Sequence, residues 1–384
     1  MAAAVPRGDD ERVGVWLFGA RGSVATTTIA GAAALRHGGA PVGVVTELPD
    51  FAGAGLVPTD QLVFGGHDVV DTPLVKRLER LVTGGVLPHG IDALVAADLA
   101  ATEEDLVTLP DRPMSQHERV QLLAADIRAF ARRHGLGRVV AINVASTEAP
   151  YPAHDCHADL GALRRAMTRH TEVLPASSVA ALAAFEAGAA FVDFTPSTSI
   201  RPDAVRQWAV DRGMPFGGQD AKTGETLVKT VLAPMFSSRA LQVHAWSGTN
   251  LLGGGDGATL ADPQAAESKN SSKERGLAEM LGDVAGQVHI DYVDPMGDWK
   301  TAWDHIVFSG FLGVRMTMQF TWQGCDSALA APLVLDLARL SAEALERGHI
   351  GAMPFLGFFF KDPIGSREHA LVRQYDQLVA WVRG

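Results

Sequence analysis

Residues 13–36 predict a buried strand, a glycine turn and a helix in immediate succession. VGVWLF (13–18) is a continuous apolar run, which is typical of a strand buried on both faces of a parallel sheet. GARGSVA (19–25) supplies the turn, and the small residues after it predict a helix closed by glycines. Such a helix N-terminus offers free N–H groups to a pyrophosphate, although a full G-x-G-x-x-G motif would need glycine at positions 21 and 24. This stretch therefore predicts a nucleotide site, with Arg21 closing over the phosphates.

The same strand–helix alternation continues as far as residue 220. PVGVVTEL (41–48) predicts a second buried strand, and HERVQLLAADIRAFARRHG (117–135) predicts an amphipathic helix before the strand RVVAINVA (138–145). Two further helix–strand pairs end at AFVDF (190–194) and MPFGG (214–218). This order predicts an α/β fold with a Rossmann-type doubly wound parallel sheet. Glu47 and Asp68 are the two candidates for the acidic partner of a bound ribose.

The pattern changes after about residue 220. Longer strand-like runs follow, and together they predict a largely antiparallel second layer with one helix at roughly 262–282. A helical pattern returns from Asp326, where the chain is expected to pack back on the first domain. We therefore predict a dinucleotide-binding Rossmann-type domain in 1–220 plus 325–384, and an inserted α+β domain in 221–324.

Composition and charge exclude several classes of protein. The formal net charge is −11 and no basic tract is present, which argues against a nucleic-acid partner. No apolar run reaches the about 20 residues of a membrane span, and the first residues lack a signal-peptide pattern. The two cysteines do not form a disulfide framework, so a cytoplasmic location is expected. The 13 histidines lack metal-binding spacing, so no metal site is predicted.

Lysine is rare in this chain and is concentrated in its second half. Only seven of the 33 Lys and Arg residues are lysines, and all of them except Lys76 lie between 222 and 361. Lysine can act as a general acid or base because its pKa shifts on burial, whereas arginine stays charged. Lys361 ends an aromatic run, FFFKDP (358–363), where desolvation is expected to lower its pKa.

Five segments behind the Rossmann-like unit resemble the myo-inositol-1-phosphate synthase family, in the same order and over nearly the whole chain. They are GQDAKTGET, GTNLLGGGDG…SKNSSK, GDWKTAWD, CDSALAAPLVLDL and FFKDP. The resemblance implies NAD as cofactor, a sugar phosphate as substrate and a homotetramer. The implied reaction cyclises glucose 6-phosphate to myo-inositol 1-phosphate with no net redox change. It proceeds through oxidation at C5, enolisation at C6, attack of C6 on the C1 aldehyde, and reduction at C5.

The resemblance also assigns site residues, position by position. The catalytic candidates are Lys269, Lys273, Lys300, Lys361, Asp220 and Asp326. The cofactor-binding candidates are Gly19, Ala20, Arg21, Gly22, Ser23, Val24, Asp68, Ser146, Thr147 and Thr223. The substrate-binding candidates are Asn250, Gly254, Gly255 and Asp256. We expect Lys273 and Lys361 to act on the C5 oxygen and its proton, while Lys269 and Lys300 hold the acceptor oxygen or the phosphate.

The chain departs from the family pattern at two places, and both leave alternatives open. Arg21 and Ala25 stand at glycine positions of the cofactor loop, and Gly254-Gly255 replace a double-asparagine turn. One alternative is a cyclase of secondary metabolism that closes fructose 6-phosphate to a five-membered cyclitol phosphate, because only the acceptor carbon changes. A plain dehydrogenase and a non-catalytic NAD-binding regulator are the other two.

Overall fold

Parallel strands form the main sheet of the protein. The computed structural model describes residues 12–384 except 111, 170–171, 254–279 and 283. Within these residues the sheet has seven strands: β1 (Val13–Phe18), β2 (Leu62–Asp68), β3 (Leu106–Thr108), β4 (Arg138–Asn143), β5 (Ala190–Asp193), β6 (Pro215–Gly218) and β11 (Gly351–Ala352). Their order is β11-β6-β5-β4-β1-β2-β3, and every pair is parallel. The strand order reverses between β1 and β4, which is where open α/β sheets bind ligands.

Helices cover both faces of this sheet, as the doubly wound prediction requires. One face packs against α1 (Ser23–Arg36), α2 (Leu74–Thr83), α3 (Ile91–Glu103), α9 (Asp326–Glu346) and α10 (Leu371–Arg383). The other face packs against α4 (Gln116–His134), α5 (Leu160–Met167), α6 (Ala176–Ala187) and α7 (Asp203–Asp211). The helix α4 begins at a capping box in which Ser115 and Glu118 satisfy each other's backbone N–H groups.

A second sheet follows β6 in the chain. A helix, α8 (Glu225–Ser238), precedes β7 (Gln242–Leu252), β8 (Val288–Tyr292), β9 (Trp299–Ser309) and β10 (Arg315–Cys325). Among the described residues the order is β10-β9-β7-β8, in which β9 is antiparallel to both neighbours and β8 is parallel to β7. The second layer is therefore largely antiparallel, as predicted. The helix α8 was not predicted, and the predicted helix at 262–282 lies almost entirely outside the described residues.

The prediction of a second strand at 41–48 is wrong. Residues 45–47 form a single 3-10 turn, and the strand beside β1 is β2. A buried carboxylate of α9 explains the difference: Asp336 accepts the backbone N–H groups of Val45 (2.9 Å) and Thr46 (2.8 Å). These N–H groups therefore bond to a side chain instead of a neighbouring strand. Burial raises the pKa of Asp336 to about 6.

Candidate active site

Two segments pair side by side beyond the carboxyl end of β6. Ala221 lies opposite Phe360 in the antiparallel sense, so Asp220 lies opposite Lys361. The backbone N–H of Lys361 donates to the Asp220 carbonyl (2.7 Å), and Lys222 N–H donates to the Phe359 carbonyl (2.8 Å). The side chains of the opposed residues meet, with Lys361 Nζ 2.7 Å from Asp220 Oδ1. Two of the predicted catalytic residues thus form a buried ion pair.

Asp220 has a backbone conformation that is uncommon outside glycine. Its φ is 60°, in the left-handed region, which Asp tolerates better than most residues. The neighbouring loop holds it there, because Asp220 N–H donates to the Thr195 carbonyl and Ala221 N–H to the Phe194 carbonyl, each at 3.0 Å. Residues held in such regions cluster at active sites and ligand clamps.

Lys222 is a buried lysine that the site prediction omitted. Its side chain is enclosed, and Nζ donates to Gln374 Oε1 of α10 at 2.6 Å. Burial, together with the charge of Lys361, lowers the pKa of Lys222 to about 7. The signal in the sequence was its place two residues after Asp220, in a chain that uses lysine sparingly.

A second pair of predicted catalytic residues lies where the two sheets meet. Lys300, near the start of β9, has Nζ 3.6 Å from Asp326 Oδ2, at the first residue of α9. Thr223 Oγ1 donates to the other carboxylate oxygen of Asp326 at 3.3 Å. Asp298 fixes the start of α9, because its side chain accepts the hydroxyl of Ser327 at 2.8 Å. Residues 220–223 therefore connect the Asp220–Lys361 pair to the Lys300–Asp326 pair.

Asn250 lies on the same face of the second sheet as Lys300. In the pairing of β7 with β9, Asn250 is opposite Ala302 and Leu252 is opposite Lys300. Alternation along a strand therefore puts Asn250 and Lys300 on one face, and this face is buried. The predicted Lys269, Lys273, Gly254, Gly255 and Asp256 lie outside the described residues.

Beneath this sheet, one buried lysine forms a separate ion cluster with two buried carboxylates. Lys229 of α8 bonds to Glu225 one turn earlier and lies 3.4 Å from Asp304 Oδ1 of β9. Trp246 Nε1 also donates to Asp304 at 2.7 Å. Burial opposes the charge of Lys229, but the two carboxylates outweigh it, and the pKa of Lys229 is raised. This cluster is a buried ion triad of the packing core.

The cofactor candidates lie at the crevice between β1 and β4. Gly19 has a φ of 85°, and a Cβ at this position would lie 2.6 Å from the backbone of Ala145, so the loops after β1 and β4 touch. Ser146 and Thr147 follow on the β4 side. Among the described residues no side chain caps the N-terminus of α1, which begins after Gly22. Ala20, Ser23 and Val24 complete this loop and the first turn of α1. An uncapped helix N-terminus beside a close loop approach fits the pyrophosphate of NAD.

Asp68 is one of the two acidic candidates for a ribose contact. It ends β2, and its Oδ2 accepts the backbone N–H of Arg21 at 2.7 Å. Glu47, the other candidate, is instead 2.7 Å from Arg339 of α9 and belongs to helix packing. The guanidinium of Arg21 is buried against Glu103, so it does not lie open over a phosphate site as expected. Within the described ranges, no cluster of three or more His, Cys, Asp or Glu residues is arranged to hold a metal ion.

Comparison with known proteins identifies the family. The chain is 33% identical to inositol-3-phosphate synthase 1 of Bacteroides thetaiotaomicron, over 96% of this chain and 93% of that protein. The chain belongs to the inositol-3-phosphate synthase family. A sequence model of the family described as Myo-inositol-1-phosphate synthase matches residues 224–327, which include Asn250, Lys300 and Asp326. The bovine inositol-3-phosphate synthase 1 is 28% identical over 80% of this chain and 61% of its own length.

Solved structures agree with the family fold. The inositol-3-phosphate synthase of Caenorhabditis elegans superposes with a TM-score of 0.89 at 20% identity, covering 97% of this chain and 85% of that chain. A myo-inositol-1-phosphate synthase-related protein from Thermotoga maritima gives a TM-score of 0.73 at 24% identity, covering 97% and 98%. The predicted family, fold class and enzyme class, that of an inositol-3-phosphate synthase, are confirmed. None of the helices in the described ranges has the length and apolarity that crossing a bilayer requires.

Proposed function

We propose that this inositol-3-phosphate synthase family member converts glucose 6-phosphate to myo-inositol 1-phosphate, with oxidation and reduction both at C5. The observation that carries the proposal is the junction, through residues 220–223, of the enclosed ion pair Asp220–Lys361 with the half-buried ion pair Lys300–Asp326. Each step of the reaction develops negative charge on an oxygen. Fixed cations in a site shielded from water stabilise such charges, with about 3–4 kcal/mol for one well-placed donor.

The cofactor of this reaction would be held at the β1–β4 crevice. Gly19, Ala20, Gly22, Ser23 and Val24 would bind its pyrophosphate at the N-terminus of α1, and Asp68 its ribose. Ser146 and Thr147 lie across the crevice, and Thr223 lies beside Asp326. When bound, NAD would supply the reversible removal of a hydride from C5.

Lys361 is proposed to act on the C5 oxygen and its proton. Its ion pair with Asp220 keeps a cation buried at the edge of the parallel sheet, and Asp220 is oriented by its own backbone bonds. A cation there stabilises an oxyanion at C5, and the same ammonium can return the proton. Lys222 positions this segment, because its backbone bonds Phe359 and its side chain bonds α10.

Lys300 is proposed to hold the acceptor oxygen or the phosphate. The side chain is 9% exposed and lies on the buried face of the second sheet with Asn250. Asp326 is at the longer distance of 3.6 Å, which leaves the ammonium of Lys300 able to donate to a substrate oxygen. Lys269, Lys273, Gly254, Gly255 and Asp256 are proposed on the family resemblance alone to complete this site.

The domain division and the oligomer are also proposals. The strands of the second sheet run from 242 to 325 and meet the parallel sheet at the site, which supports an inserted domain at 221–324. Several large apolar side chains are exposed at the turn between β9 and β10: Phe311 88%, Leu312 85%, Val314 60% and Met316 40%. Exposed apolar surface of this kind marks an association site, which supports the predicted homotetramer.

A product analysis tests the proposed function. The purified protein is incubated with NAD and either glucose 6-phosphate or fructose 6-phosphate, and the ring formed is identified by NMR. We expect a six-membered cyclitol phosphate from glucose 6-phosphate and no net accumulation of reduced cofactor. A five-membered ring from fructose 6-phosphate would establish the alternative cyclase. Reduced cofactor formed in proportion to product would indicate a dehydrogenase, and no product from either sugar a regulator.

A further inference from the structure

Two arginines and two carboxylates meet at the end of β2, where the ribose of a dinucleotide binds. The Arg21 guanidinium pairs with Glu103 of α3 and donates to the Thr72 carbonyl at 3.2 Å. Glu103 also accepts the first backbone N–H of α2, from Leu74, at 2.8 Å. Arg77 donates to the Arg21 carbonyl at 3.1 Å, so the turn around Arg21 is held from several sides.

This arrangement contains the parts of both kinds of ribose site. An acidic residue at the end of β2 binds the 2′-hydroxyl of NAD, whereas a nearby arginine accommodates the 2′-phosphate of NADP. Asp68 fits the first role, and its Oδ2 is 2.7 Å from the backbone nitrogen of Arg21. Arg21 would suit the second role, but its charge is already neutralised by Glu103.

Arg21 retains unused hydrogen-bonding capacity. Its side chain is 7% exposed, and its Nε has no hydrogen-bond partner within the described part of the chain. The guanidinium fork is suited to bidentate contact with phosphate oxygens. Glu103 therefore pairs with the guanidinium that would otherwise bind a 2′-phosphate. The negative charge of Glu103 would also repel that phosphate.

We propose that Glu103 is a specificity-determining residue that makes the site select NAD over NADP by neutralising Arg21. The proposal rests on the proposed function only in taking a nicotinamide dinucleotide as the ligand of the β1–β4 crevice. Asp68 alone would disfavour a 2′-phosphate, and Glu103 adds a second barrier by removing the positive charge that could offset it. The glycine-to-arginine departure at position 21 is thus matched by a compensating carboxylate on α3.

Binding measurements on Glu103→Gln test the proposal without turnover. Glutamine keeps an acceptor for the Leu74 N–H but removes the negative charge. NAD and NADP are each titrated by calorimetry against the wild type, Glu103→Gln and the matched control Glu104→Gln, which alters the adjacent exposed carboxylate. We expect the ratio of the NADP to the NAD dissociation constant to fall about tenfold in Glu103→Gln only, the size of one charge-assisted contact.

A second variant separates this effect from a structural one. Adding Arg21→Met to Glu103→Gln should return the ratio to the wild-type value, because the freed cation is gone. The proposal would be overturned if the ratio of dissociation constants in Glu103→Gln equalled that of the wild type, which includes equal weakening of NAD and NADP binding. It would also be overturned if the lower ratio persisted after Arg21→Met was added. Because this experiment measures binding and no reaction, its result does not depend on whether the protein cyclises a sugar phosphate. Failure of the cyclisation and failure of the selectivity proposal can therefore be told apart.

Discussion

Two regions of this molecule each bury a lysine, and they treat its charge in opposite ways. At the edge of the parallel sheet, Lys222 meets a neutral amide and the neighbouring charge of Lys361, and its pKa falls to about 7. Beneath the second sheet, Lys229 meets Glu225 and Asp304, and its pKa rises. Both residues are 3% exposed, so burial alone does not separate them. The charges of their partners therefore determine the direction of the pKa shift. A buried cation without a carboxylate partner marks a site where a bound anion is expected.

The largest effect should come from removing a cation of the site. Lys361→Met is expected to lower kcat by about 10²–10³-fold, because one donor to the developing oxyanion is lost. Lys76→Met, at an exposed lysine that pairs with Glu79, is the matched control and should leave kcat unchanged. Steady-state assays of cyclitol phosphate formation measure both. Wild-type turnover by Lys361→Met would refute its proposed role.

The same substitution in the second region should act on stability. Lys229→Met leaves two buried carboxylates without their shared cation, which costs about 3–5 kcal/mol in the free energy of unfolding. Lys222→Met should cost less than Lys229→Met, because it removes one hydrogen bond, to Gln374, together with a charge that no carboxylate compensates. Urea unfolding compares the two variants. Equal destabilisation by both would remove the distinction between the regions.

Per pH unit, the smallest effect is a change in how stability depends on pH. The pKa of Lys222 is about 7 in the folded protein and about 10.4 in an unfolded chain, so between these values the unfolded chain binds more protons. Lys222 therefore makes stability rise with pH in this window, by up to about 1.4 kcal/mol per pH unit. Gln374→Glu places a carboxylate at the 2.6 Å contact and should flatten this rise.

Gln377→Glu is the control for that experiment, because it adds the same charge at an exposed position of the same helix. Urea midpoints at several pH values above neutrality give the slope for each protein. A slope in Gln374→Glu equal to that in Gln377→Glu would show that Lys222 does not carry the pH dependence.

Local patterns predicted most of the fold, and long-range contacts account for what they missed. The first βα unit, α4 and α9 were predictable because apolar periodicity and glycine turns act within the segment itself. The strand predicted at 41–48 failed because Asp336, almost 300 residues later in the chain, binds its backbone. The prediction that Arg21 closes over the phosphates is wrong for a similar reason, because nothing near Arg21 in the sequence indicates its partner Glu103.

The sequence selected candidate residues for the site but did not indicate how they pair. The resemblance selected Asp220, Lys361, Lys300 and Asp326, whereas no spacing rule indicates that Lys361 opposes Asp220 from a separation of 141 residues. The sequence does not indicate the lowered pKa of Lys222, because that shift depends on burial, and its partner Gln374 belongs to the last helix.

The pairing of residues 219–222 with 359–362 has a consequence for synthesis of the protein. The Asp220–Lys361 pair closes a loop that contains the whole second sheet, so neither member has its partner until nearly the entire chain has left the ribosome. The β1–β4 crevice, by contrast, is built from residues made early. The strands on either side of this crevice are thus synthesised well before the Asp220–Lys361 pair can form, because that pair requires the C-terminal segment to dock.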